Sequence, residues 1–317
     1  MRDHAAETRL SGPVGSMPGG GTPSSGDLLP DDRHPNVRKS FIVHQARNPR
    51  RAPFVVAALG LALALIAVFA FFVGTHLGQS IDENAFAGAA AWRGPLADAA
   101  AWMLDALPAI AVASGAVLML GIAVVRRVGH QLLAAVAAAA AAMVSTQLLK
   151  YLLVRPHTGI ADWLSNSLPS GHTTAAASAA LAVFLVSSPR TRPTVATLGS
   201  VFTVVAGSAT LINQWHRPSD VIAAILVVCF WGCAAGFVLA GMPAARARGQ
   251  RVVARLTPLA LIAAVFAVIA VVGLVVTATA ADAESHLFVA YVGSISAIAA
   301  VGLGCAWIGN RMFAWLR

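Results

Sequence analysis

Charged residues are scarce in this chain. They make up 11% of its 317 residues, and only two of them, Lys39 and Lys150, are lysines. Hydrophobic residues make up 58%, and the mean hydropathy is +0.74. Because soluble globular domains carry about 25% charged residues, this composition excludes an ordinary soluble protein and predicts an all-α integral membrane protein.

Cysteine is also rare, and its three copies, Cys229, Cys233 and Cys305, all fall inside apolar stretches. Thiols in such positions pack as small apolar groups, and thiols without neighbouring His or carboxylate ligands make a poor metal site. We therefore expect neither a disulfide nor a metal at these cysteines. The sequence also lacks the internal repeat that is typical of a transporter built from two halves.

Apolar runs long enough to cross a bilayer occur eight times. A hydrocarbon core of about 30 Å needs roughly 20 apolar residues per helical crossing. The fourth run is the shortest, and its Ala- and Ser-rich start predicts close packing against neighbouring helices rather than contact with lipid. The predicted spans are 54–75, 104–125, 131–153, 172–188, 194–214, 219–241, 257–279 and 287–309.

The positions of the arginines predict the orientation of these spans. Loops on the cytoplasmic side of a membrane carry an excess of basic residues, whereas Asp82 and Glu83 fall in a loop on the alternate side. Both chain termini are therefore predicted to be cytoplasmic. The arginines that border the spans on the cytoplasmic side are Arg47, Arg50, Arg51, Arg126, Arg127, Arg190, Arg192, Arg246, Arg248, Arg251, Arg255, Arg311 and Arg317.

Residues 1–52 have a different composition, rich in Gly, Pro, Ser, Asp and Arg. Such a segment cannot bury enough apolar surface to fold and predicts a disordered cytoplasmic tail. It lacks the features of a secretory signal, so the first span is expected to stay in the mature protein. Its basic cluster from Arg33 to Arg51 could bind anionic lipid headgroups or serve only to set the topology. We expect no nucleic acid among the partners.

Three polar clusters fall on the predicted extracytoplasmic side: KYLLVRPH at 150–157, LPSGH at 168–172 and HRPSD at 216–220. An ionisable residue at membrane depth is costly and indicates a functional site. Lys150 alone would fit a lysine whose ammonium reaches the interface. Three clusters on one side indicate a shared site instead.

The second cluster suits the binding of an anion. A loop that leads into a helix offers unpaired backbone N–H groups and the positive end of the helix dipole, and Gly171 lets the backbone approach closely. Ser170 would either contact the phosphate or cap the helix. His172 would then stand beside a bound phosphate, where it could protonate a leaving oxygen as a general acid.

The first and third clusters supply a nucleophile and positive charge. His216 and Asp220 are four residues apart on one helix face, so the carboxylate can hold one imidazole nitrogen and leave the other to attack. Lys150 and Arg155 provide the charge that phosphoryl transfer requires. The loops contain no acidic cluster suited to Mg²⁺.

Two residues in the sequence IADWLSNS are candidates for lining the entrance to this site, Trp163 and Asn166. A tryptophan near a membrane interface also commonly serves only as an anchor. Both interpretations of Trp163 stay open.

The three clusters resemble the signature of the type 2 phosphatidic acid phosphatase (PAP2) superfamily. That signature is a Lys followed by six residues and Arg-Pro, then Pro-Ser-Gly-His, then Ser-Arg, five residues, His, three residues and Asp. The second part is complete at 169–172, and the last two positions of the third part are His216 and Asp220. The resemblance implies a six-helix catalytic core over 53–241. It does not account for 242–317, predicted as a cytoplasmic loop and two additional transmembrane helices.

The chain departs from the signature at both arginines. Counted from Lys150, the first arginine of the signature falls on His157, while Arg155 lies two residues earlier. Counted back from His216, the second arginine of the signature falls on Thr210. We expect Arg155 to replace the first arginine and Arg217 the second, and His157 is a further candidate for contact with the phosphate.

The resemblance implies a metal-independent phosphatase. In it His216 attacks phosphorus to form a phosphohistidine, Asp220 orients His216, and His172 protonates the leaving group. An extracytoplasmic site favours a lipid phosphate or pyrophosphate. Polyprenyl pyrophosphate ranks slightly ahead of phosphatidic acid and phosphatidylglycerol phosphate, since the Ala-rich, Lys-poor composition suits a bacterium with GC-rich DNA. Two alternatives remain: a PAP2-like protein with weak or no activity that binds lipid headgroups or scaffolds partners, and a transporter or flippase.

Overall fold

All the regular secondary structure in the part of the chain that the structure describes is helical. The computed structural model describes residues 51–92, 110, 113–160, 166–242, 257–279 and 283–314. The predicted tail, apart from its last two residues, lies outside these ranges, as does most of the loop between the sixth and seventh predicted spans. The helices are α1 (Ala52–Val68), which a π-helical stretch (Phe69–Val73) continues, α2 (His76–Trp92), α3 (Ala113–Arg126), α4 (Gly129–Leu152), α5 (Gly171–Val186), α6 (Arg192–Ile212), α7 (Pro218–Ala240), α8 (Thr257–Thr279) and α9 (Ala283–Ala314).

Six of these helices, α1, α4, α6, α7, α8 and α9, are long and apolar enough to cross a membrane. Helices α3 and α5 are apolar but shorter. Helix α3 covers only the later part of the second predicted span, because most of that span's first part lies outside the described residues. The prediction of an all-α membrane protein is confirmed, and the chain is a multi-pass membrane protein.

Helix α2 lies where the sequence analysis assigned a loop, and that assignment was wrong. The search for long apolar runs missed α2 because its sequence mixes polar and apolar residues. Its buried residues nevertheless recur with the spacing of one helix face, which is the pattern of an amphipathic helix packed on a protein surface. They are Gly78, Gln79, Ile81, Asp82, Ala85, Gly88 and Ala89.

Helix α7 occupies the centre of the bundle and packs against α1, α4, α5 and α9. It begins at Pro218, a residue suited to the first helical position because it has no N–H group to leave unpaired there. Helix α5 lies beside α7, and ten of its sixteen residues are buried. The predicted close packing of this short, Ala- and Ser-rich helix is therefore confirmed.

Helices α8 and α9 pack closely against each other. A Cβ atom added at Gly273 in α8 would lie 2.7 Å from the Cα of Gly293 in α9, so only glycine permits this approach. Helix α9 also packs against α2, where a Cβ at Gly88 would overlap the carbonyl oxygen of Leu287. The two additional helices thus contact the rest of the bundle partly through α2. The predicted division at residue 242 into core and extension stays a prediction.

Candidate active site

The three polar clusters meet at one end of the helical bundle. Lys150 lies in the last turn of α4, and its ammonium nitrogen is 3.9 Å from the position that a Cβ of Gly171 would take at the start of α5. The backbone N–H of Ser170 donates to the carbonyl oxygen of Asp220 in the first turn of α7, at 2.9 Å. The loop before α5 therefore touches both α4 and α7.

The loop before α5 ends in a capped helix. Ser170 is fully buried, and its Oγ accepts a hydrogen bond from the backbone N–H of Thr173 at 3.3 Å, which makes Ser170 the N-cap of α5. The first turn of a helix leaves further N–H groups without partners inside the helix. These groups, at Gly171 and His172, give this end of α5 the partial positive charge that attracts anions. Contact between Ser170 and a phosphate stays a prediction.

His216 and Asp220 form a buried pair. Nδ1 of His216 lies 3.4 Å from Oδ2 of Asp220. The same oxygen accepts from Oγ of Ser167 at 2.7 Å and from the backbone N–H of Arg217 at 3.0 Å. The carboxylate is thus held from three sides. Because Nδ1 faces it, Nε2 of His216 is the ring nitrogen left to act on another group.

His172 completes a pair of imidazoles, which we call the histidine pair (His172 and His216). Their ring centroids are 6.3 Å apart. His172 is half-buried, and its ring packs against Trp215 at a centroid distance of 4.9 Å. The structure therefore brings both predicted catalytic histidines to one place, with the orienting carboxylate behind one of them.

Arg155 lies in the segment 153–160 that follows α4. Its side chain is only 4% exposed, and all three of its guanidinium nitrogens are buried with no hydrogen-bond partner among the described residues. A buried charge without partners is costly, so this guanidinium is suited to receive an anionic ligand. Arg155 is also close enough to Asp82 to lower the pKa of that carboxyl, against the larger effect of burial.

The two other cationic candidates differ from Arg155. Arg217 is buried and forms an ion pair with Glu83, at 2.8 Å from both its Nε and its Nη2, and its guanidinium lies 5.4 Å from the ring centroid of Phe86. Its contact with phosphate stays a prediction, and this ion pair competes with it. His157 is exposed on the segment 153–160, and no described contact joins it to the histidine pair.

Of the two proposed entrance residues, the structure describes only Asn166. Asn166 is half-buried, and its side-chain amide donates to the carbonyl oxygens of Leu149 and Leu168, at 3.5 and 3.0 Å. Asn166 thus ties its loop to the end of α4. Trp163 lies outside the described residues.

The sequence analysis missed the contribution of α2. Asp82 is fully buried and accepts hydrogen bonds from Ser219, at 3.0 Å from the backbone N–H and 2.6 Å from Oγ. Burial raises the pKa of Asp82 to about 7, and the negative charge of Asp220 adds to this rise. A helical spacing of polar residues in GQSIDENAF was the signal that could have identified this face.

The described part of the chain contains no candidate metal centre. Among the described residues, no group of three or more His, Cys, Asp or Glu side chains could hold a metal ion. The three cysteines carry free thiols and lie among apolar side chains of α7 and α9. A reaction without metal stays a prediction.

Comparison with known proteins gives one family. The family model described as PAP2 superfamily matches residues 131–248, which run from α4 to just beyond α7. No curated protein and no solved structure matches the chain. The family match suggests a phosphatase-type activity on phosphorylated lipids. The three clusters lie within the matched segment, so residues 131–248 of this membrane chain are similar to the PAP2 superfamily.

Proposed function

We propose that this protein is a metal-independent phosphatase that removes phosphate from a membrane lipid phosphate or pyrophosphate through a phosphohistidine. The observation that carries the proposal is the contact between Nδ1 of His216 and Oδ2 of Asp220, with His172 beside it. A nucleophile oriented by a buried carboxylate and facing a second titratable group is the arrangement that covalent catalysis requires. A binding protein would need neither group.

The first step transfers the phosphoryl group to the enzyme. Nε2 of His216 attacks phosphorus with its lone pair, the N–P bond forms, and the bond from phosphorus to the bridging oxygen of the lipid breaks. The electron pair of that bond leaves with the oxygen. Protonated His172 donates its proton to this oxygen as a general acid. Asp220 stabilises the His216 imidazole, which becomes positively charged as the bond forms.

The second step releases phosphate. Neutral His172 accepts a proton from a water molecule, whose oxygen attacks phosphorus. The N–P bond breaks, its electron pair returns to Nε2 of His216, and inorganic phosphate leaves. Both histidines then have the protonation states with which the cycle began. The same residue acts as acid and base because the two steps are mechanistic reversals of each other.

Positive charge stabilises the phosphoryl oxygens in both steps. Lys150 and Arg155 would bind these oxygens together with the N–H groups of Gly171 and His172, since phosphoryl transfer depends mainly on positioning and electrostatics. The guanidinium of Arg155, which has no hydrogen-bond partner among the described residues, supports this role most directly. Ser170, His157 and Arg217 are further candidates for contact with the phosphate.

The arginine distribution supports an extracytoplasmic site and cytoplasmic termini. A site on that face would act on headgroups of the outer leaflet. Among such lipids we rank a polyprenyl pyrophosphate slightly ahead of phosphatidic acid and phosphatidylglycerol phosphate, because the Ala-rich and Lys-poor composition suits a bacterium with GC-rich DNA. Anionic headgroups near the N-terminal tail are a further proposed contact.

Phosphate release in detergent tests the proposal. Purified protein would be supplied with the three lipids in the presence of EDTA, alongside His216→Ala and the matched variant His130→Ala, whose exposed side chain lies at the opposite end of α4. We expect release by the wild type and by His130→Ala and none by His216→Ala. A lipid labelled with ³²P should transfer its label to wild-type protein in an acid-labile form.

The outcomes separate the alternatives. Turnover that His216→Ala retains would overturn the phosphohistidine mechanism. A folded wild type that binds these lipids without releasing phosphate would favour the headgroup-binding alternative. A wild type that moves labelled lipid between the leaflets of a vesicle without releasing phosphate would favour a flippase.

A further inference from the structure

One face of α2 contacts both of the segments that carry the proposed catalytic and phosphate-binding residues. Its four members, Gln79, Asp82, Glu83 and Phe86, follow the spacing i, i+3, i+4 and i+7, which places them in one row on a helix. We call this row the polar face of α2. Helix α2 itself lies outside the residues 131–248 that match the family.

The polar face contacts the start of α7 and the turn that precedes it at three points. Asp82 accepts from the backbone N–H and Oγ of Ser219, and Glu83 pairs with Arg217. The carbonyl oxygen of Phe86 accepts from the side-chain amide of Gln214 at 2.8 Å. His216 lies between these anchored residues.

Gln79 connects the same helix to the segment that carries Arg155. Its side-chain amide donates to the carbonyl oxygen of Pro156 at 3.0 Å, and its Oε1 accepts from Oγ1 of Thr158 at 2.5 Å. Pro156 directly follows Arg155, so these bonds fix the backbone from which the guanidinium projects. One helix therefore sets the distance between the proposed nucleophile and the proposed phosphate-binding arginine.

Asp82 accepts two hydrogen bonds from one residue in the first turn of α7. A carboxylate that accepts two hydrogen bonds at the first turn of a helix is favoured by its own charge and by the positive end of the helix dipole. The N–H of Ser219 belongs to the group that has no partner inside α7. Asp82 thus caps α7 from another helix and fixes the direction in which α7, and with it His216 and Asp220, begins.

We propose that α2 is a positioning helix and that Asp82 orients the His216–Asp220 pair through Ser219. This inference rests on the proposed function, since it assigns Asp82 a role in that reaction. Asp82 touches no reacting atom, so its role is in positioning. It also gives the two additional helices a role, because α9 packs against α2 at Gly88.

Asp82 should make turnover depend on pH. The charged groups that face it are Asp220 on α7 and Arg155 on the segment 153–160. The residues of α8 and α9 that line the cavity of 280 Å³ beside it, among them Thr277 and Ser294, do not titrate. Asp82 is ionised above about pH 7 and protonated below it. Protonation removes the charge that holds Ser219, so an acidic medium should weaken the positioning of α7.

The decisive variants are Asp82→Asn and Ser219→Ala. Ser80→Ala is the matched control, because Ser80 lies on α2 but does not belong to the polar face. Misplacing a nucleophile by a fraction of an ångström lowers kcat strongly, so we expect Asp82→Asn to lower kcat by about ten- to a hundred-fold while KM changes by less than about three-fold. Ser219→Ala, which keeps its backbone N–H, should lower kcat less. Ser80→Ala should match the wild type.

The pH profile distinguishes positioning from a general loss of stability. Any other pH dependence of the reaction is shared by wild type and variant, so the informative quantity is the ratio of wild-type kcat to Asp82→Asn kcat. This ratio should fall towards one as the pH decreases through about 7, because protonated Asp82 then resembles asparagine. A ratio that stays constant with pH, or a kcat unchanged in both Asp82→Asn and Ser219→Ala, would overturn the inference while leaving the proposed function intact.

A second measurement does not need turnover. Diethylpyrocarbonate modifies histidine rings, and peptide mass spectrometry can follow its reaction with His216, with exposed His130 as internal reference. The rate of this modification reports directly on the position and accessibility of the His216 ring. We expect Asp82→Asn and Ser219→Ala to change this rate and Ser80→Ala to leave it alone. Equal rates in all four proteins would refute the positioning role even if no lipid were hydrolysed. If Asp82→Asn does not fold, Ser219→Ala and Glu83→Gln carry the same comparison.

Discussion

Oγ of Ser167 donates a hydrogen bond of 2.7 Å to Oδ2 of Asp220, the same oxygen that lies 3.4 Å from Nδ1 of His216. The loop before α5 therefore helps to fix the carboxylate that orients the proposed nucleophile. The signature of the family does not include Ser167, and its role became visible only when the loop and α7 were seen together.

Ser167→Ala should lower kcat by about three- to ten-fold. The variant removes one of the three donors to a buried carboxylate, and the loss of a hydrogen bond to a charged group corresponds to about 1.5–3 kcal/mol, of which the remaining donors recover a part. Steady-state kinetics would measure the effect, with Ser114→Ala on α3 as a matched control. Equal kcat values for the two variants would contradict the assigned bond.

His172→Asn should have an effect that depends on the leaving group. A general acid matters when the departing oxygen is a poor leaving group and matters little when that oxygen is already stable as an anion. We expect His172→Asn to lower kcat for an alkyl phosphate by about 10²–10⁴-fold and for p-nitrophenyl phosphate much less. A loss of the same size on both substrates would argue against the proton transfer and for a role of His172 in binding.

Arg155→Ala should weaken the binding of phosphate more than Arg155→Lys. A guanidinium can bind two phosphate oxygens at once, whereas an ammonium acts as a single point of charge. Removing it should lower kcat/KM by about 10²–10³-fold, and competitive inhibition by inorganic phosphate should weaken in parallel. Arg190→Ala, in the exposed loop between α5 and α6, controls for the loss of one positive charge. Unaltered inhibition by phosphate in Arg155→Ala would remove this residue from the site.

Gly273→Leu should destabilise the packing of α8 against α9. Its side chain would displace the backbone of α9 at Gly293, and overpacking of a close contact costs about 1–3 kcal/mol. Thermal unfolding in detergent would show a lower midpoint for Gly273→Leu than for Gly304→Leu, because a Cβ at Gly304 meets nothing within 4 Å. The same midpoint for both variants would contradict the close approach of these helices.

Hydropathy and spacing predicted the spans and the three clusters because both depend on local sequence. The spacing of His216 and Asp220 places them on one helix face whatever surrounds them, and the structure brings the two side chains together. The burial of Arg155 was not predictable in the same way. The segment that carries Arg155 is hydrogen-bonded to α2, whose mixed polar and apolar sequence is typical of a loop until a partner surface is known.

Arg217 is a second residue whose surroundings the sequence did not predict. Its position next to His216 made it a natural replacement for the missing family arginine. The sequence could not reveal that Glu83, 134 residues earlier, lies 2.8 Å from its guanidinium. Pairings over such separations follow from tertiary packing, which no local pattern encodes.

The bond from the backbone N–H of Ser170 to the carbonyl oxygen of Asp220 uses main-chain atoms alone. Replacing either side chain leaves both bonding groups in the polypeptide. The side chains around this hydrogen bond can therefore change during evolution while the bond itself remains. It still connects the loop before α5 to α7, the helix that follows His216. A chain built in this way can lose an arginine at one motif position and regain positive charge at another while its framework persists.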